Sequence, residues 1–177
     1  MNLTELLQGE IEAVYGAAFG LLNHVDGDRL DWKPATGENW MTMGQLLMHL
    51  TSACGFCCRG MVTGDWRLPD GTDLAQMSDE DMLPGADKLP AVSSVAEARA
   101  MLEEDKALAL RMVAEAGEEA LASREAAAPW LPEMKMPLGR HLKQMVDHLA
   151  VHKAQLFYYL KLQGKPVHTG HLWGMEL

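Results

Sequence analysis

Met145-Val146-Asp147-His148-Leu149-Ala150-Val151-His152-Lys153-Ala154-Gln155 sets two histidines four residues apart inside a helical pattern. On an α-helix, residues i and i+4 share a face and lie about 6 Å apart along the axis. Two imidazoles in that register can converge on one metal ion if the rest of the chain supplies further ligands. The same spacing arises when two histidines merely share a face. Outward from this stretch, Leu138, Leu142, Met145, Leu149, His152, Leu156 and Tyr159 or Leu160 recur at alternating four- and three-residue intervals, a bundle-facing seam. Pro137 suits a first helical turn, Gly164 a C-terminal cap and Pro166 a stop. The spacing predicts a helix over 137–163, roughly 40 Å long, with His152 on the seam and His148 on its flank.

Three further helices are expected. Asn2 caps a first over about 3–23, where Leu3, Leu6, Leu7, Ile11, Val14, Ala18, Leu21 and Leu22 form an apolar stripe. Thr42 and Gln45 make a T-x-x-Q capping box for a second over 43–62, and Ser94 and Glu97 an S-x-x-E box for a third over 95–116. Gly117 weakens the third pattern, which resumes briefly to Ala122. The connections at 64–92 and 123–136 are rich in proline and glycine and have no period. The acids of the first fit no EF-hand loop and read as a solvated surface. The tail from Lys165 to Leu177 has no period of its own. With no internal repeat, the expected architecture is a single all-α domain over 1–177, a four-helix bundle whose long connections permit crossovers.

Composition narrows the function classes. The net charge is −10 and no cluster of Lys or Arg runs longer than two, which disfavours nucleic acid and anionic membrane surfaces as partners. No apolar run reaches the ~18–20 residues of a membrane helix, and the acidic start is no signal peptide, so a cytoplasmic protein is expected. Cys54, Cys57 and Cys58 are an odd, local set and a poor disulfide framework. Core packing is the expected role for them.

The metal reading needs a third ligand on another helix. His49 stands mid-helix between Met48 and Leu50, where a neutral ring requires a partner. Together His49, His148 and His152 would make a three-histidine set with a fourth position open, as in catalytic zinc sites. His141, seven residues before His148, is about 10 Å away along the helix, too far to share the ion, and is expected behind the ligands or at a rim. His24, His168 and His171 lie at a helix end or in the tail, where exposure is expected. Leu149 follows His148, so the glutamate of H-E-x-x-H is absent, and no E-x-x-H pairs of the di-iron bundles occur. No phosphate loop, nucleophile elbow or dinucleotide fingerprint is present.

Gly44-Gln-Leu-Leu-Met-His-Leu50, Asp147-His-Leu-Ala-Val-His-Lys-Ala-Gln-Leu156, the Leu162-Gln-Gly-Lys-Pro166 exit, and Trp32-Lys33-Pro34 with Trp40 resemble the DinB/YfiT-like superfamily of metal-dependent four-helix bundles. The likeness spans about residues 3–167. It implies a fold with crossover connections, commonly dimeric, with Zn²⁺ or Ni²⁺ held by three histidines. Carried over by position, these are His49, His148 and His152. Some relatives are thiol-dependent transferases or isomerases that use a low-molecular-weight thiol such as bacillithiol or mycothiol.

The resulting expectation is a divalent-metal-binding protein, an enzyme of thiol S-transferase or hydrolase type with an open position for water or thiolate. No residue in the sequence is identified as its general base, and Gln155, one turn beyond His152, is expected to orient a ligand at the rim. The rival expectations are a non-catalytic bundle that binds metal for stability, sensing or a stress-related structural role, and a helical interaction protein whose histidines bind nothing.

Overall fold

The computed structural model describes residues 1–175; the last two positions of the expected 1–177 domain and of its tail lie outside them. In chain order come α1 (Leu3–Leu22), α2 (Met43–Leu50), α3 (Gly55–Thr63), α4 (Asp79–Met82), α5 (Val95–Ser123), β1 (Glu125–Ala128), β2 (Leu131–Pro137), α6 (Leu138–Leu162) and α7 (Thr169–Leu172). The fold is mostly helical, with one small antiparallel sheet formed by β1 and β2. The long helices α1, α5 and α6 pack on one another, and α3 lies against α5 and α6. Ile11, Leu21, Leu46, Leu47, Leu102 and Leu149 are buried between them. No helix among the described residues is long and apolar enough to cross a membrane.

The caps follow the side chains that signal them. Asn2 and Glu5 close a reciprocal capping box on α1, as do Thr42 and Gln45 on α2. At α5 only half of the expected box forms. Ser94 accepts from the Glu97 N–H, while the Glu97 carboxylate accepts from the N–H and hydroxyl of Ser93. The α6 seam is buried at Leu138, Leu142, Met145, Leu149, Leu156, Tyr159 and Leu160. His152, at the same register, is only half-buried.

The expected single helix over 43–62 is corrected to two, because the chain breaks at residues 51–54. Thr51 ends α2 by donating both its hydroxyl and its N–H to the Met48 carbonyl. Asp105, buried on α5, then starts α3: its carboxylate accepts the N–H groups of Gly55 at 2.9 Å and Phe56 at 2.8 Å. A carboxylate at a helix N-terminus satisfies donors that have no partner inside the helix. Gly55 is required there, since a Cβ would stand 2.1 Å from the Asp105 carbonyl oxygen.

Two other boundaries differ from the sequence pattern. The third helix runs on to Ser123 through a kink at Gly117, whose φ of +69° suits glycine and interrupts the helical dihedrals. The connection before α6 is a β-hairpin around Pro129-Trp130, in register Glu125 to Pro137 and Ala128 to Leu131. Its strands were not legible as strands because Glu125-Ala-Ala-Ala128 carries none of the β-branched or aromatic residues that strands prefer. The 64–92 connection contains α4 and short helical turns at Leu74–Gln76 and Ala86–Lys88, and it buries Trp66, Met82 and Val92.

Candidate metal centre

Helix α2 delivers His49 from its last turn, and α6 delivers His148 and His152 from its middle. One nitrogen from each of the three rings lies within 4.8 Å of the others. The ring centroids are 4.3 Å apart for His49–His152, 4.7 Å for His148–His152 and 5.2 Å for His49–His148. His49 Nε2 stands 3.2 Å from His148 Nε2. Two nitrogens on one tetrahedral ion at ~2.0–2.1 Å would be about 3.3 Å apart, so this pair needs almost no movement to share one.

The tautomers follow from the partners. His148 Nδ1 is 3.1 Å from the Ala53 carbonyl oxygen, and His152 Nδ1 is 3.1 Å from Gln155 Oε1. Both oxygens can only accept, so each Nδ1 carries its proton and each Nε2 presents a lone pair. Such outer partners orient metal-binding imidazoles. No described residue engages His49 Nδ1, which leaves that ring free to choose its tautomer.

The electrostatics keep the rings neutral. Burial, with His152 and His148 adding repulsion, pushes His49 down to about 4. Burial also lowers His148, against the bond to Ala53, and lowers His152, against the bond to Gln155. Neutral imidazole is the ligand form, so metal binding near neutral pH displaces no proton from these rings. The set fits a divalent ion, for which imidazole is a favoured ligand.

The DinB superfamily profile matches residues 10–156, a span that includes all three histidines and their oxygen partners. The chain belongs to the DinB superfamily. No curated protein and no solved structure matches it.

In this DinB chain the remaining candidates fall outside the cluster. His141 is buried and donates its Nε2–H to the Ala126 carbonyl of β1. Cys54, Cys57 and Cys58 are free and buried. Burial raises the Cys57 thiol, and a bond to Cys54 raises Cys58. All three pack in the core, and Cys57 and Cys58 have little thiolate available. His168 is exposed as expected, but His24 and His171 are half-buried against each other.

Two supporting groups escaped the sequence reading. Ala53 acts through its carbonyl, which no side-chain pattern reveals. Asp105 was visible in principle: it falls in the 4-3-4-3 series Ala98, Leu102, Asp105, Ala109, Met112, an acid at a position where apolar residues belong. Besides the two N–H groups it accepts the Tyr15 hydroxyl at 2.6 Å, and burial raises both its own pKa and that of Tyr15.

Proposed function

We propose that His49, His148 and His152 bind one divalent metal ion, Zn²⁺ or Ni²⁺, and that the protein is a metal-dependent enzyme of thiol S-transferase or hydrolase type. The observation that carries this reading is the pair of oxygen partners on His148 and His152, which leave both Nε2 lone pairs free in a cluster where one nitrogen of each ring, His49 included, lies within 4.8 Å of the others. A bound divalent ion supplies Lewis acidity and lowers the pKa of a water or thiol beside it. The chain's own contribution is to hold three neutral imidazoles, with no carboxylate joining them among the described residues, and to fix the ring of His152 through Gln155. Three protein ligands instead of four favour an open position over a closed structural site. A low-molecular-weight thiol is the proposed cosubstrate.

The same proposal takes the chain as one domain and a four-helix bundle, with α2 and α3 jointly replacing the second helix. It places the protein in the cytoplasm as a homodimer. Val151, Tyr158 and Leu162, 64%, 60% and 65% exposed, form an apolar stripe on the outer face of α6 that suits a second copy.

Elemental analysis of protein purified without chelators or affinity-tag histidines tests the metal reading. Close to one equivalent of zinc or nickel per chain is expected in the wild type, and less than ~0.2 equivalents would sink it. His49→Ala should lose the metal with its helical circular dichroism intact. Unfolding on metal removal would favour the non-catalytic structural alternative.

A further inference from the structure

Beside the centre lies a cavity of about 360 Å³, within the size range of small-molecule sites. Its walls come from three parts of the chain: Asn39, Trp40 and Met41 before α2, Pro84 and Leu89 of the long connection, and Gln155 of α6. Gln155 is the residue that holds His152. No lining residue carries a charge.

Hydrogen bonds within the walls determine what they still offer. The Trp40 indole N–H is committed to the Thr36 carbonyl, and its ring meets Tyr159 edge-on at 6.2 Å. The indole, 39% exposed, therefore presents apolar surface with no free donor. Gln45 donates to the carbonyls of Ala86 and Leu89 at 2.8 and 2.9 Å, which ties the long connection to the start of α2 and fixes that wall. Gln155 Oε1 is occupied by His152, and one Nε2–H points to the Tyr159 hydroxyl at 3.3 Å. An amide nitrogen has two protons, so one remains. Asn39, exposed, has no side-chain partner among the described residues.

We infer that this cavity binds an uncharged organic ligand with a flat apolar body and a hydrogen-bond acceptor, the body lying on Trp40 and the acceptor taking the remaining N–H of Gln155. The inference deepens the proposed function, since a ligand so held would sit one residue contact from the metal centre, but the pocket itself requires no metal. A charged group entering it would lose water and find no counter-charge, which is costly. An amide or similar carbonyl would be matched by the free amide proton.

Benzamide, benzoate and benzylammonium are probes of one shape and three charges. Chemical shifts of the Trp40 indole N–H and the Gln155 side-chain amide, followed by NMR in metal-free and zinc-loaded protein, report binding. Benzamide should give saturable, millimolar binding in both forms, with the charged congeners weaker by about tenfold or more. Trp40→Ala should abolish the benzamide effect at Gln155, while replacement of the exposed Trp173 in the tail should leave it unchanged. Asn39→Asp, an exposed and isosteric change, should move the preference toward benzylammonium, which checks the site independently of how Trp40→Ala folds. No saturable shift up to about 20 mM, equal binding of all three probes, or no change in preference with Asn39→Asp would overturn the inference. Zinc uptake without benzamide binding rejects the pocket alone, and benzamide binding without zinc uptake rejects the metal reading alone.

Discussion

Among the described residues the histidines form two clusters of three, and in only one of them do ring nitrogens of all three lie within 4.8 Å of one another. In the first, His148 and His152 donate Nδ1–H to oxygens, so each keeps a free Nε2 lone pair, and that of His148 stands 3.2 Å from His49 Nε2. In the second, around α7, His24 and His171 meet at 4.8 Å and His168 and His171 at 4.1 Å between ring centroids. The rings are as close, but their bonds run the other way. His168 Nδ1 accepts the Gly170 N–H and His171 Nδ1 accepts the His168 N–H, both at 3.1 Å. A neutral ring that accepts at Nδ1 carries its proton on Nε2 and offers no second lone pair. His168 and His171 are spent on capping α7. Proximity of imidazoles is therefore a poor sign of a metal site, and the partner of the other ring nitrogen is a better one.

The largest test of that contrast is substitution in each cluster. His148→Ala or His152→Ala should reduce zinc affinity by more than the ~10–100-fold expected for loss of an outer partner. His168→Ala and His171→Ala should leave zinc stoichiometry and affinity unchanged, as read by competition with a chromogenic chelator. Equal losses from both clusters would erase the distinction.

The clusters also differ in what holds them. The first depends on the break between α2 and α3, which exposes the Ala53 carbonyl to His148 and which Asp105 stabilises from α5. Asp105→Ala leaves three buried or half-buried donors, on Tyr15, Gly55 and Phe56, without their acceptor. At ~1–3 kcal/mol for each unsatisfied group, the loss should be about 3 kcal/mol or more in urea denaturation. The second cluster caps a one-turn tail helix, and His168→Ala should cost about 1 kcal/mol or less by the same measurement. A loss at Asp105 no larger than at His168 would remove its role in building the site.

This division explains what was legible in the sequence. The capped starts of α1 and α2, the seam of α6 and the His148–His152 pair were readable because each is a pattern of side chains at fixed helical offsets, whereas His49 was reached as a polar ring between apolar neighbours and through the family resemblance. The break at Thr51–Cys54 was not, since it depends on Asp105 arriving from fifty residues away and on the space that Gly55 leaves for it. The hairpin at 125–137 was hidden for a related reason: its strands pair with each other and pack against α6, and tertiary context rather than propensity decides them. The reversed bonding of the tail histidines was invisible for want of any sequence rule that fixes an imidazole tautomer.

A pH difference follows from the first cluster. His49 titrates near 6.5 when unfolded and is pushed down to about 4 in the native chain. Between those values the unfolded state holds a proton that the native state lacks, so native stability falls as the pH falls through that window. The contribution is complete above pH 6.5, and at about 1.36 kcal/mol per pH unit roughly 2 kcal/mol should be lost between pH 7 and pH 5 in metal-free protein. The lowered His148 and His152 act with the same sign. Urea denaturation of wild type and His49→Gln should show a shallower pH dependence in the variant. Identical slopes in wild type and His49→Gln would contradict the neutral-ring assignment.

The smallest expected effect is the most direct test of the tautomer argument. Gln155→Ala removes the oxygen that holds the Nδ1 proton of His152 but touches no proposed ligand atom. The ring can then rotate or shift its proton to Nε2, and zinc affinity should fall about tenfold, near the lower end for loss of an outer partner. Gln155→Glu keeps an acceptor at the same reach and makes it anionic, which raises the basicity of the bound ring, so affinity should be retained or improved. Loss in Gln155→Ala with recovery in Gln155→Glu separates orientation of His152 from simple packing, because the two side chains differ little in volume from glutamine to glutamate. Unchanged affinity in Gln155→Ala would mean that His152 keeps its geometry through the helix alone, and the distinction between the two histidine clusters would then rest on His148 and Ala53.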